Sequence, residues 1–62
     1  MTAPNLGIAR RILGVPLGAS RDAICRATRR LARRYHPDLG GDVEHFKRVL
    51  RARDALLAEF DD

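Results

Sequence analysis

The chain has little of what stabilises a small extracellular protein or anchors one in a membrane. Of its 62 residues only Cys25 is a cysteine, so no internal disulfide can form and a reducing compartment is compatible. Arginine or glycine interrupts the apolar stretches every few residues, which predicts no membrane span. Residues 1–5 lack the charged and apolar regions of a signal peptide. We therefore expect a cytoplasmic protein, or a fragment without its targeting segment.

Aromatic residues are also scarce, with no tryptophan, one tyrosine and two phenylalanines. We find no internal repeat, no low-complexity tract and no alternating pattern typical of a strand. A chain of this length buries only about 60% of its unfolded surface. It has no room for both a core and a deep active-site cavity, although its 45% hydrophobic residues indicate a globular domain. These limits favour one small domain whose function lies on its surface.

What is present is helical periodicity. Apolar residues recur at helical spacing over about 5–13, which predicts a short first helix with Asn5 as its N-cap. Gly14 should end this helix, and 15–18 reads as a connector. Residues 1–4 are expected to form a flexible tail.

Two longer helices should follow, over about 20–35 with Ser20 as N-cap and over about 43–60 with Asp42 as N-cap. Each carries one apolar stripe, and we expect the stripes to pack as an antiparallel hairpin that the first helix closes on one side. The predicted fold is therefore all-α. The stripe residues are Ile24, Ala27, Thr28, Leu31, Ala32 and Tyr35 in the second helix, and Phe46, Val49, Leu50, Leu56, Leu57 and Phe60 in the third.

The tripeptide His36-Pro37-Asp38 separates the two long helices. Pro37 has no backbone N–H and disfavours a helical conformation in the residue before it, so the second helix should stop at or before His36. Gly40-Gly41 supplies backbone freedom for the return. The hairpin should therefore display His36 and Asp38 at the bend, and loops held by rigid elements often carry function.

The charge is strongly one-sided. The net charge is +4 and the pI is near 10.6. Six arginines fall in the second helix against one acid, Asp22, which suggests an acidic partner. From charge alone, a small nucleic-acid-binding helical module is an open alternative, with these arginines on phosphates. The chain lacks the aromatic stacking and base-reading side chains of such modules, which argues against it.

Taken together, the segments Ile12-Leu13-Gly14-Val15, Arg29-Arg30-Leu31-Ala32 and Tyr35-His36-Pro37-Asp38 resemble the J-domain of the DnaJ (heat-shock protein 40) co-chaperones. Phe46-Lys47 falls where that family has its third-helix core. The resemblance covers about three-quarters of the chain. The glycine pair after the tripeptide is similar to the J-subunit of the mitochondrial import motor and its bacterial relatives.

The resemblance implies a non-enzymatic partner of a DnaK-type (heat-shock protein 70) chaperone, bound in its ATP state and stimulated in its ATP hydrolysis. It implies a trigger at His36, Pro37 and Asp38, and no cofactor or metal. We expect the chain to be one monomeric J-domain over 1–62 that lacks the fourth helix and client-binding region of larger members and the membrane anchor of the import-motor relatives. The docking face would consist of Arg26, Arg29, Arg30, Arg33 and Arg34.

Departures from the family pattern leave a second alternative open. Thr28 stands in place of a common aromatic, and Leu39 in place of a basic residue. The domain could therefore be a J-like adaptor that does not stimulate the ATPase, although the intact tripeptide argues against this. His36, Asp38, Asp42 and His45 make a poor zinc signature without cysteines, so we expect no metal site.

Overall fold

A computed structural model describes residues 5–60, so the tail predicted at 1–4 lies outside the described part of the chain. Within this range the chain forms three α-helices and no strand, and the predicted all-α fold is confirmed. The helices are α1, Leu6–Leu13; α2, Arg21–Tyr35; and α3, Val43–Leu57, with 3₁₀ turns at Pro37–Leu39 and Ala58–Phe60.

The helix starts follow local side-chain chemistry. Asn5, Ser20 and Asp42 each accept a hydrogen bond from a backbone N–H in the first turn of the helix they precede, at 3.0, 3.1 and 2.9 Å. Each bond satisfies a donor that the helix itself leaves unpaired. Gly14 ends α1 in the left-handed region, with φ 71°, as only a residue without a Cβ does at low cost. All three predicted N-caps are confirmed.

The two long helices form the antiparallel hairpin. Arg21, at the start of α2, contacts Phe60 beyond the end of α3, while Tyr35, at the end of α2, contacts His45 near the start of α3. The short helix α1 packs chiefly on α3 and only slightly on α2. The three helices enclose one small core, whose buried members are Ala9, Leu13, Ile24, Ala27, Val49, Ala52 and Leu56.

Helix α3 is shorter than predicted, because its α-helical part ends at Leu57 and the chain tightens into a 3₁₀ turn over Ala58–Phe60. Such tightening is common in the last turn of a helix. Here the guanidinium of Arg21 donates a hydrogen bond of 3.0 Å to the Phe60 carbonyl and lies 5.6 Å from the centre of its ring. That contact ties the tightened turn to the start of α2.

One polar residue lies in the core. Thr28 is 5% exposed, and its hydroxyl donates to the Ile24 carbonyl at 2.8 Å, one turn earlier in α2. The hydroxyl is therefore satisfied, and its burial carries no large penalty. In the part of the chain that is described, no helix combines the length and apolar character needed to cross a bilayer.

Candidate partner-docking surface

The predicted docking arginines share one side of α2. We call Arg26, Arg29, Arg30, Arg33 and Arg34 the arginine face; all five are exposed. Their spacing of three and four residues places them on successive turns, opposite the stripe that faces the core.

Two of these arginines make local contacts. Arg26 pairs with Asp22 at 3.2 Å, a contact between two well-exposed side chains that adds little to stability. The Arg34 guanidinium lies 5.7 Å from the centre of the Tyr35 ring. The arginine face is a surface of high positive charge on a helix whose other side is anchored in the core.

The bend after α2 is a compact hydrogen-bonded turn. His36 leaves the helix in an extended conformation, with φ −61° and ψ 131°, as expected of a residue before proline. Its carbonyl then accepts two backbone hydrogen bonds, from Leu39 at 2.9 Å and from Gly41 at 3.0 Å. The tripeptide is therefore held as part of a turn rather than displayed on an open loop.

The His36 ring is held on two sides. Its Nδ1 accepts a hydrogen bond of 3.1 Å from the Asp38 N–H, which caps the 3₁₀ turn. The ring also meets the Phe46 ring edge to face, with 5.2 Å between centroids and 66° between planes. Because Nδ1 is the acceptor, the neutral imidazole carries its proton on Nε2. The bend thus fixes both the ring's direction and the atom that can donate to a partner.

Asp38 presents its carboxylate to solvent. Its side chain is 89% exposed, and its Oδ2 lies 3.8 Å from His36 Nδ1, beyond hydrogen-bonding distance. The Asp38 backbone N–H already occupies that nitrogen. The carboxylate therefore keeps its acceptor capacity for an outside donor.

The two glycines that follow have different roles, which the sequence did not distinguish. Gly40 has φ 82°, in the left-handed region, with open space where a Cβ would lie. Gly41 has no such backbone requirement, but a Cβ there would overlap the backbone of Tyr35. The chain returns so close to the end of α2 that only a hydrogen atom fits, and this contact sets the path of the bend.

Three further observations describe the residues around the bend. The rings of Tyr35 and His45 are in contact, with centres 4.0 Å apart and 40° between their planes, so His45 belongs to the packing of the hairpin. Among residues 5–60, no three His, Cys, Asp or Glu side chains gather where they could hold a metal ion. Leu39, where a basic residue was expected from the family, is apolar and 69% exposed. The surface therefore offers charge, one imidazole, one carboxylate and one exposed leucine.

Comparison with known proteins identifies the family of this chain. The family model described as the DnaJ domain matches residues 11–59, most of the chain. The chain belongs to the DnaJ domain family. The recognition made from the tripeptide and the basic helix is therefore confirmed, and the arginine face and bend lie inside the matched part of this J-domain.

Individual relatives support the same conclusion. The J-domain is 48% identical over 52 residues, 79% of its length, to chaperone protein DnaJ 1 of Aromatoleum aromaticum. It is 50% identical over 48 residues, 73% of its length, to chaperone protein DnaJ of Gloeothece citriformis. The aligned parts are 15% and 13% of those two proteins, so the chain spans a small fraction of their length. No solved structure gives a significant match.

Proposed function

We propose that this J-domain is a co-chaperone module that binds a DnaK-type chaperone in its ATP state and stimulates its ATP hydrolysis. The observation that carries the proposal is the fixed geometry of the bend. His36 is held by a hydrogen bond and an aromatic contact, and the Asp38 carboxylate beside it is left open to solvent. A bend ordered in this way loses little freedom on binding.

The arginine face supplies the approach to the partner. Exposed charges of one sign accelerate association with an oppositely charged surface and fix the orientation of the encounter, in a manner that salt weakens. The face is on a helix, so its charges keep fixed relative positions. An acidic face on the chaperone is the matching surface.

The bend supplies the state-dependent contact. The Asp38 carboxylate can accept charge-assisted hydrogen bonds, each worth about 1.5–3 kcal/mol. His36 can donate from Nε2. If these contacts form better with one conformation of the chaperone than with another, binding shifts its population toward that conformation. In this mechanism the reacting groups belong to the chaperone, and the J-domain itself is not an enzyme.

The test is single-turnover ATP hydrolysis by a DnaK-type chaperone, with the J-domain and with its His36→Gln and Asp38→Asn variants. We expect the unchanged J-domain to stimulate hydrolysis. In both variants the stimulation should be at least about tenfold weaker, which is the loss expected from one charge-assisted hydrogen bond. Asp38→Asn conserves the shape of the side chain but removes its charge and replaces one acceptor oxygen with an NH₂ donor.

The matched control is His45→Gln, the same substitution in the other histidine, whose ring contacts Tyr35. It should keep most of the stimulation once circular dichroism shows that it is folded. Stimulation by the His36 and Asp38 variants at the unchanged level would overturn the proposal. Binding without stimulation by the unchanged chain would favour the adaptor alternative.

A further inference from the structure

A second surface lies between α1 and α3. It is a groove of about 310 Å³ with an apolar floor, and we call it the α1–α3 groove. Ile8, which is 52% exposed, and Ile12 line it from α1, and Ala52 and Ala55 line it from α3. Small alanines on α3 leave room for the side chains of another molecule. Exposed apolar surface of this kind is typical of interaction sites.

The border of the groove is positive. Arg48 and Arg51 line it from α3 and are exposed. The ion pairs that involve α3 within residues 5–60 engage Lys47 and Arg53, not these two arginines. No acidic side chain lines the groove. Its occupant should therefore combine apolar side chains with negative charge.

We propose that the α1–α3 groove docks an acidic amphipathic α-helix of another protein. A ridge of aliphatic side chains on one helix fits the groove between two others, and acidic residues beside that ridge would pair with Arg48 and Arg51. This inference does not depend on the proposed action on a chaperone ATPase, because it concerns a different face of the molecule.

Charge and shape favour this occupant over two others. A second copy of the chain carries a net charge of +4, which the positive border of the groove would repel. A membrane surface is best met by one helix with a broad apolar face, whereas the apolar surface here is a shallow groove shared by two helices. An acidic helix satisfies both the apolar floor and the positive border.

The test uses a synthetic helical peptide with leucines at positions i, i+4 and i+7 and glutamates on both sides of them. It is titrated into the isotopically labelled full chain while the backbone amide resonances are recorded. We expect shifts confined to α1 and the facing side of α3. A peptide of the same leucine pattern with lysines in place of glutamates should bind at least about tenfold more weakly.

Charge reversal provides matched controls within the chain. The Arg48→Glu/Arg51→Glu double variant should lose about tenfold or more in affinity for the acidic peptide, because two attractive pairs become repulsive. The Arg29→Glu/Arg33→Glu variant makes the same charge change on the arginine face and should lose much less.

Four results would overturn the proposal. They are shifts confined to α2, equal losses in the two double variants, tighter binding to anionic phosphatidylglycerol vesicles than to the peptide, and groove resonances that move on dilution of the protein alone. The last would indicate a second copy as the occupant. None of these measurements involves ATP hydrolysis, so they stand apart from the test of the co-chaperone function.

Discussion

The arginine face and the α1–α3 groove are both positively charged, but they offer different kinds of contact. The arginine face sets five exposed guanidinium groups on one helix, on the side opposite the core. The groove has two arginines beside a shallow apolar floor. Charge without apolar surface governs approach and orientation, whereas burial of apolar surface governs how long a complex lasts.

The difference indicates why the proposed function needs the bend as well as the arginine face. A field of arginines alone attracts acidic surfaces with little selectivity. The bend adds a held imidazole and an open carboxylate beyond the end of the same helix, and these need specific partners in specific places. The groove combines apolar contact and charge in one place, so it has no need of a separate selective element.

The largest effect on the bend should come from Gly41→Ala. A Cβ at Gly41 would overlap the Tyr35 backbone, so the chain after α2 must move. We expect a loss of about 1–3 kcal/mol in the free energy of unfolding, measured with urea, as for other overpacked sites. At temperatures where the variant is fully folded, its stimulation of the chaperone ATPase should still be lower than that of the unchanged chain.

Gly40→Ala is the matched control for Gly41→Ala. It adds the same methyl group into open space but at φ 82°, so it costs about 1–2 kcal/mol in backbone strain without displacing Tyr35. Its stimulation of the ATPase should be largely kept. Equal stimulation by the two folded variants would mean that the close approach to Tyr35 does not position the tripeptide.

The glycine pair also shows the limit of prediction from sequence. The helix caps at Asn5, Ser20 and Asp42 were predictable because each depends on atoms two or three residues away. The pair Gly40-Gly41 indicated only backbone freedom. That Gly41 is required by contact with Tyr35 depends on the path of the chain through the bend, which residue types alone do not specify.

The same limit applies to the C-terminal end of α3 and to the groove. The capping signal at Asp42 is local, but Ala58–Phe60 contains no residue that stops a helix, and the tightened turn is tied instead to Arg21. The choice of the five arginines came from the family resemblance, and helical spacing then placed them on one side of α2. The groove was missed because it exists only once α1 has packed on α3 in a particular register.

An effect of intermediate size on the association rate should distinguish the arginine face from the α1–α3 groove. Arg29→Ala/Arg33→Ala should lower the association rate with a DnaK-type chaperone about tenfold at low salt and change the dissociation rate less. Arg48→Ala/Arg51→Ala removes the same charge from the groove and should lower that rate by less than about threefold. Stopped-flow mixing over a series of salt concentrations measures both. Equal losses would show that net charge alone governs association, and the distinction between the regions would fail.

The smallest effect concerns Arg21, an arginine of α2 that lies outside the arginine face. It donates to the Phe60 carbonyl and covers the Phe60 ring, so Arg21→Met, which keeps the aliphatic stem, should lose about 1 kcal/mol of stability. For a domain of this size that lowers Tm by roughly 4–8 °C in a calorimetric scan.

Arg29→Met should change stability by less than about 0.5 kcal/mol, as for an exposed side chain without such contacts. The association rate with the chaperone should show the opposite order, since Arg29 belongs to the arginine face that we propose meets the chaperone, whereas Arg21 contacts Phe60. Such a crossed pattern would show that arginines of one helix divide by what they contact, whereas parallel losses would show that the helix acts only through its total charge.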